Sequence, residues 1–206
     1  MGCLPLQGPT TDAMFSPDGS TVAVSTGSGK IWSWNLAGGW KSGSRTHVDW
    51  FYRLAYFPSG TGLASIFKDG KLEFWDTVPA LGGSADEHEG EISALAFLPN
   101  GEIVVTSGLD GVLGLWSLPG LEPCESIQAH QTWVWGLAVS PAGDKLATAS
   151  ADRSIKLWAV GRDSADAPQL SPAMTLTGHT ETVWGVAFSP DGRTLAWTSW
   201  DKTVRL

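Results

Sequence analysis

The chain has few of the residues on which metal, disulfide and nucleic-acid sites depend. Its 206 residues include only two cysteines, four histidines and 13 basic side chains, against 21 acidic ones. Cys3 and Cys124 are too far apart in sequence to indicate a disulfide framework or a zinc knuckle, so a reducing, cytoplasmic setting is expected. The basic residues are scattered singly and the net charge is −8, which argues against nucleic-acid and anionic-membrane partners. We expect no cofactor and no metal.

Long apolar runs are also missing. No stretch approaches the roughly 18 residues that a membrane span requires, and the N-terminus lacks a basic region followed by an apolar segment. With 42% apolar residues, the chain can nevertheless bury a full core. Its 25 glycines and 12 prolines suit many turns between short strands. The sequence therefore predicts an all-β fold.

One landmark recurs along the chain at nearly constant spacing. Successive copies are 41, 41, 42 and 49 residues apart, and a Trp follows 19 residues after each of the first four. Short apolar segments separated by turn residues surround each copy, which predicts antiparallel strands. The copies are Phe15-Ser-Pro17, Tyr56-Phe-Pro58, Phe97-Leu-Pro99, Val139-Ser-Pro141 and Phe188-Ser-Pro190, and the tryptophans are Trp34, Trp75, Trp116 and Trp158.

This pattern resembles the WD40 repeat family, whose units have about 40 residues, four strands and Gly-His and Trp-Asp signatures. Gly178-His179 precedes VWGVAFSPDG, and Trp75-Asp76 closes KLEFWD, although no other unit has Asp after its Trp. The resemblance implies a β-propeller of small, radially packed sheets. It also implies a single WD40 repeat domain over residues 1–206, with units at about 3–34, 35–75, 76–116, 117–158 and 159–206.

The fifth unit stops early. The sequence given ends at Leu206, one residue before the position expected for a fifth Trp. We therefore expect five blades of an incomplete propeller, truncated at its C-terminus and arranged as an open arc; the alternative is a closed ring of five blades. The connection after Trp158, over residues 161–172, accounts for the 49-residue step and is expected to be a flexible surface loop.

All four histidines fall nine residues before a landmark. In the resembled family, this His joins an Asp, a Ser or Thr four residues before the Asp, and a Trp six residues after it. We expect buried structural networks rather than catalytic triads, because a nucleophile sealed behind a Trp cannot reach substrate. The complete sets are His47, Ser65, Asp69 and Trp75; His88, Thr106, Asp110 and Trp116; and His130, Thr148, Asp152 and Trp158. The fifth unit keeps His179 and Asp201 but has Trp197 in place of the hydroxyl, so it is expected to be looser.

Twelve tryptophans are a large excess, and only four of them occupy the landmark-spaced position. In the resembled fold, residues that begin the first strand of a unit, and the residue before the turn Asp, line the top rim around a central channel. An aromatic rim suits a protein or peptide partner, since Trp and Tyr dominate interface hot spots; packing beneath neighbouring loops is the alternative. The rim positions are Trp50, Tyr52, Lys68, Trp133, Trp135, Trp184 and Trp200.

These observations favour a noncatalytic scaffold for protein–protein or protein–peptide interaction. One alternative is a regulatory or sensor domain of a larger protein. Another is an enzyme or small-ligand protein that uses the central channel. Against an enzyme, the sequence has no phosphate-binding loop, no metal-ligand cluster, no G-x-S-x-G and no histidine outside the repeat.

Overall fold

The computed structural model describes residues 8–37, 39–41, 51–67, 70–75 and 88–206, and only the backbone at 39–41, 51 and 52. All regular structure in these ranges is β-strand. The strands form five antiparallel sheets, each built from strands that are consecutive in sequence. The predicted all-β fold is therefore confirmed.

The strands of the five sheets are numbered in chain order. Sheet 1 contains β1 (Thr10–Phe15), β2 (Thr21–Thr26), β3 (Lys30–Asn35) and β4 (Gly39–Lys41). Sheet 2 contains β5 (Phe51–Tyr56), β6 (Leu63–Phe67) and β7 (Leu72–Trp75). Sheet 3 contains β8 (Ile92–Phe97), β9 (Ile103–Gly108), β10 (Val112–Ser117) and β11 (Glu122–Gln128). Sheet 4 contains β12 (Val134–Val139), β13 (Lys145–Ser150), β14 (Ile155–Arg162) and β15 (Pro168–Leu176). Sheet 5 contains β16 (Val183–Phe188), β17 (Leu195–Ser199) and β18 (Val204–Arg205).

The first strand of each sheet lies innermost. Strands β1, β5, β8, β12 and β16 pack side by side in that order, so the sheets are arranged radially. Among the strands that the structure describes, none of sheet 5 packs to a comparable extent on sheet 1. The five blades form an open arc, as expected, and the alternative of a closed five-bladed ring is not observed.

An apolar layer fills the space between each pair of neighbouring sheets. The Trp-bearing face of one sheet packs on the opposite face of the sheet before it. Between sheets 3 and 4, Trp158 and Leu146 pack against Val105 and Leu115, and all four are buried. Equivalent layers join the other neighbouring pairs. Because burial of apolar area is the main stabilising contribution, each sheet depends on its neighbours for stability.

The turn after each innermost strand explains the landmark proline. In sheet 4, Gly143 has φ 75° and donates its N–H to the Ser140 carbonyl at 2.8 Å. A Cβ at Gly143 would lie 2.9 Å from Cδ of Pro99 in the preceding turn. Glycine therefore supplies both the left-handed conformation and room for the proline ring. The corresponding pairs elsewhere are Pro17 with Gly60, Pro58 with Gly101, and Pro141 with Gly192.

The expectation of a flexible loop over residues 161–172 is wrong. Strands β14 and β15 pair as far as Arg162 and Pro168, leaving only 163–167 as the turn. The Asp163 carboxylate accepts the N–H groups of Ala165 and Ala167 at 2.8 and 2.9 Å, which organises that turn. β15 is the outer strand of its sheet, where prolines are tolerated because their nitrogen faces no partner strand. Pro168 and Pro172 are therefore compatible with an extended hairpin.

Candidate functional site

A histidine lies at the centre of a polar network in sheet 4. His130 is fully buried; its Nδ1 contacts Oδ2 of Asp152 at 2.7 Å and its Nε2 contacts Oγ1 of Thr148 at 2.8 Å. The Trp158 indole donates to the same Thr148 hydroxyl at 3.2 Å. Asp152 also accepts the N–H and hydroxyl of Ser154 at 2.9 and 2.6 Å. The buried polar groups of this network thus satisfy one another.

Sheet 3 repeats this geometry. His88 contacts Oδ2 of Asp110 at 3.1 Å through Nδ1, and Oγ1 of Thr106 at 2.8 Å through Nε2. The Trp116 indole donates to Thr106 at 2.9 Å. The structure therefore brings together both of the four-residue sets predicted for these two units.

Only half of the set predicted for sheet 2 falls within the described residues. The Trp75 indole donates to the Ser65 hydroxyl at 2.6 Å, as the corresponding pairs do in sheets 3 and 4. His47 and Asp69 lie outside the described residues. The indole–hydroxyl half of the network is thus common to three sheets.

The network of sheet 5 keeps its carboxylate but lacks the hydroxyl that faces Nε2 in the other sheets. His179 Nδ1 contacts Oδ2 of Asp201 at 2.7 Å, and the side chain of His179 is 1% exposed. Trp197 stands where the other units have Ser or Thr, and its ring centroid is 6.4 Å from that of the imidazole. Among the described residues, none forms a hydrogen bond with His179 Nε2. The Thr203 hydroxyl, 3.2 Å from Nδ1, supplies a second contact on the Asp201 side.

The hydrogen bonds at Asp152 predict a loss of stability in acid. Partial burial raises the pKa of this carboxyl, but hydrogen bonds from His130 and Ser154 outweigh it and hold the pKa at about 2. An unfolded Asp titrates near ~3.9, so this contribution is complete above about pH 4 and is lost as the pH falls through about 2. We expect Asp152→Asn to flatten the decline in the urea unfolding free energy across that window. Equal declines in the variant and the parent would contradict this assignment.

Each innermost strand begins with a one-residue bulge. The register between β12 and β13 skips Trp135, and that between β16 and β17 skips Trp184. In the other sheets, the skipped residues are Thr11, Tyr52 and Ser93. Bulges redirect side chains out of the regular alternation and are common beside functional sites. The bulged residues define one rim of the arc.

Four tryptophans of sheets 4 and 5 form a continuous row on this rim, here called the indole row: Trp133, Trp135, Trp184 and Trp200. Trp133 meets Trp135 edge to face, with ring centroids 5.6 Å apart. Trp135 stacks on Trp184 at 4.5 Å, and Trp184 stacks on Trp200 at 5.5 Å. Trp133, Trp184 and Trp200 are 50%, 38% and 61% exposed. Exposed aromatic clusters of this extent are typical of interaction sites.

The backbone places these rings side by side. A Cβ at Gly136 would lie 3.0 Å from the Trp184 carbonyl oxygen, so glycine allows β12 and β16 to approach closely at their starts. Two turn hydrogen bonds fix the ends of the row. Ala151 N–H donates to the Trp133 carbonyl at 2.9 Å, and Trp200 N–H donates to the Thr182 carbonyl at 3.0 Å.

The remaining predicted rim residues lie wholly or partly outside the described residues. Trp50 and Lys68 lie outside the described residues, and for Tyr52 only the backbone is described. In sheet 3, the bulge position is Ser93, whose hydroxyl donates to the carbonyl oxygens of Ser107, at 3.0 Å, and of Val134. The indole row therefore belongs to sheets 4 and 5.

Sequence reasoning missed two basic residues in the turns of these same sheets. Arg153 and Lys202 follow the turn aspartates and have φ values of 72° and 70°. The equivalent positions in sheets 1, 2 and 3 are Gly29, Gly70 and Gly111, with φ values of 73°, 81° and 80°. A comparison of the repeat units, position by position, would have identified these two departures from glycine.

Neither a metal-ligand cluster nor a membrane-spanning helix is found in the described ranges. No group of three or more His, Cys, Asp or Glu side chains in them could hold a metal ion. The described residues contain no helix that is long and apolar enough to cross a membrane.

Comparison with known families agrees with the repeat geometry. The family model for the WD domain, G-beta repeat, matches residues 82–117, 121–159 and 170–206, which together make up more than half of the chain. The chain therefore belongs to the WD40 repeat family. Repeats of this family generally mediate protein–protein interaction, and their domains are typically noncatalytic. No curated protein sequence matches the chain.

Proposed function

We propose that this protein is a noncatalytic interaction module that binds a protein or peptide partner through the indole row. The observation that carries the proposal is the contiguity of four tryptophans, three of them at least 38% exposed, on one rim of two adjacent sheets. Indole rings combine a large apolar area with an N–H donor and few rotatable bonds, which makes them effective anchors for a partner. We place this interaction in the cytoplasm as part of the proposal, because the chain contains only two cysteines.

The polar networks support a noncatalytic role. The three histidines in the described residues are enclosed: His130 is fully buried, and the side chains of His88 and His179 are 1% exposed. Their Asp and Thr partners are engaged in hydrogen bonds within a sheet, and a nucleophile or general base in such a position has no access to substrate.

The proposal predicts that replacing a tryptophan of the indole row with alanine weakens partner binding without unfolding the protein. Peptides selected from a random display library against the intact chain serve as ligands. Trp184→Ala should weaken their binding by roughly thirtyfold, the effect of losing about 2 kcal/mol at a central anchor. The melting temperature should change little, because Trp184 is partly exposed. Isothermal titration and thermal unfolding measure the two quantities.

Phe15→Ala is the matched control. Phe15 is 64% exposed and aromatic but lies on sheet 1, away from the row, so its replacement should leave binding intact. Selected peptides that bind Trp184→Ala and the parent equally would show that the binding surface lies elsewhere.

A further inference from the structure

The turn glycine of the repeat is replaced by a cation in the two sheets that carry the indole row, and only there among the five. A residue with a Cβ is destabilising in the left-handed conformation, so Arg153 and Lys202 are unfavourable choices for the fold. Strained residues of this kind cluster at binding sites, where the side chain has a use that compensates for the strain. The strain at Arg153 and Lys202 therefore indicates that these side chains serve ligand binding rather than the stability of the fold.

Both cations are available for binding. Arg153 and Lys202 are exposed, and neither side chain forms an ion pair or hydrogen bond in the described part of the chain. Lys202 follows Trp200 by two residues. Arg153 follows Ala151 by two residues, and the Ala151 N–H is bonded to the Trp133 carbonyl. The turns that carry the two cations are thus connected to opposite ends of the indole row.

The row itself presents hydrogen-bond donors and ring edges. Trp184 stacks on both Trp135 and Trp200, so mainly its edges remain for a ligand. Ring edges carry the positive part of the aromatic quadrupole. The indole N–H groups of all four row residues have no acceptor within the described chain. Donors without acceptors favour a ligand that is rich in acceptor oxygens.

The nearby acids, Asp152 and Asp201, are engaged in hydrogen bonds within the fold. Asp201 accepts from His179, from the N–H of Thr180 at 3.2 Å and from Thr203 at 3.0 and 2.6 Å, and Asp152 is engaged in the same way. Glu181 is the exposed carboxylate that remains in the segment leading into β16. The net charge of −8 repels an anionic ligand at long range, so recognition must come from short-range contacts.

We propose that the partner segment is an extended acidic peptide. Its carboxylates pair with Arg153 and Lys202, and its backbone carbonyls accept the indole N–H groups of the row. An extended or polyproline-type segment has no internal hydrogen bonds, so its carbonyls are free to accept them. This inference rests on the proposed function, because the same row supplies the anchors; Arg153 and Lys202 add the specificity for charge.

Three short peptides test the inference. They share one framework containing Pro and Phe and differ only in carrying Glu, Gln or Lys at the intervening positions. The Glu peptide should bind most tightly, and its affinity should fall as salt is added. Arg153→Gly and Lys202→Gly should each weaken it by roughly tenfold, the effect of losing one desolvated charge contact. Both variants should also melt at a higher temperature than the parent, because glycine removes the strain.

Arg193→Gly is the matched control, since it removes the same charge from an exposed turn at the other end of sheet 5. It should leave the affinity for the Glu peptide unchanged. Equal binding of the Glu and Gln peptides, tighter binding of the Lys peptide, or no detectable Glu peptide binding at about millimolar concentration would overturn the acidic inference. The proposed function would survive any of these results if library-selected peptides still required Trp184. Glu peptide binding that depends on Arg153 but not on Trp184 would overturn both.

Discussion

The Asp152→Ala variant is expected to have a free energy of unfolding about 2–4 kcal/mol lower than the parent protein. The change leaves Nδ1 of the fully buried His130 without its acceptor. It also removes the carboxylate that accepts the N–H of Ser154. A buried polar group without a partner retains its full desolvation penalty, which is why the cost exceeds that of one ordinary hydrogen bond. Urea titration monitored by far-ultraviolet circular dichroism measures the difference.

Asp201→Ala is the matched variant in sheet 5, and its loss should be clearly smaller. The Thr203 hydroxyl lies 3.2 Å from His179 Nδ1 and can take over as acceptor. Ser154, which caps Asp152 from the corresponding turn, makes no such contact with His130. In addition, sheet 5 has a neighbour on only one face in the described chain, so water reaches it more easily. Losses of equal size at the two aspartates would refute this account.

Gly111→Ala is expected to be comparably damaging, at roughly 3–5 kcal/mol. Gly111 has φ 80°, and a Cβ there would overlap the carbonyl oxygen of His130 and lie 3.0 Å from that of Thr132. Those carbonyls belong to the segment that carries His130 into its network. The N–H groups of Ala129 and His130 both donate to the Gly111 carbonyl at 3.0 Å, so the segment cannot move away freely. The cost therefore includes displacement of backbone as well as strain in φ.

Gly19→Ala separates these two contributions. Gly19 has φ 68°, but a Cβ at this position would meet nothing within 4 Å. Its replacement should therefore cost only the strain of the left-handed conformation, about 1–2 kcal/mol. If chemical denaturation gave the same loss in unfolding free energy for both variants, the close approach at Gly111 would contribute nothing to the cost of Gly111→Ala.

Much of the fold follows from the spacing of a few residues. The landmark repeats near a 41-residue period because each copy ends one innermost strand, and its proline contacts the glycine of the next turn. The spacing between His, Thr, Asp and Trp likewise determines which strand each side chain comes from. Register then brings the four together, as at His88 and His130. Periodicity of this kind is visible without coordinates.

Other features depended on geometry that residue types do not encode. The extra length of the connection after Trp158 predicts a loop, and the length alone does not show that β14 and β15 remain paired. The stacking of Trp135 on Trp184 depends on how closely β12 and β16 approach at Gly136, which is a relation between two sheets. The strain at Arg153 is a backbone angle: aligning the repeat units shows the departure from glycine, but only the structure shows that φ remains positive there.

The stacking within the indole row affects the entropy of association. Each ring is held against the next, at centroid separations of 4.5 to 5.6 Å, so the rotamers are already restricted before a partner arrives. Ordering flexible side chains at an interface usually opposes binding by about 0.5–1.5 kcal/mol for each one immobilised. In this protein the indole side chains are already ordered on folding, because ring contacts within and between sheets 4 and 5 hold them in place. When a flexible partner segment docks, conformational freedom is then lost by the segment and by the exposed side chains of Arg153 and Lys202, but little is lost by the indole row.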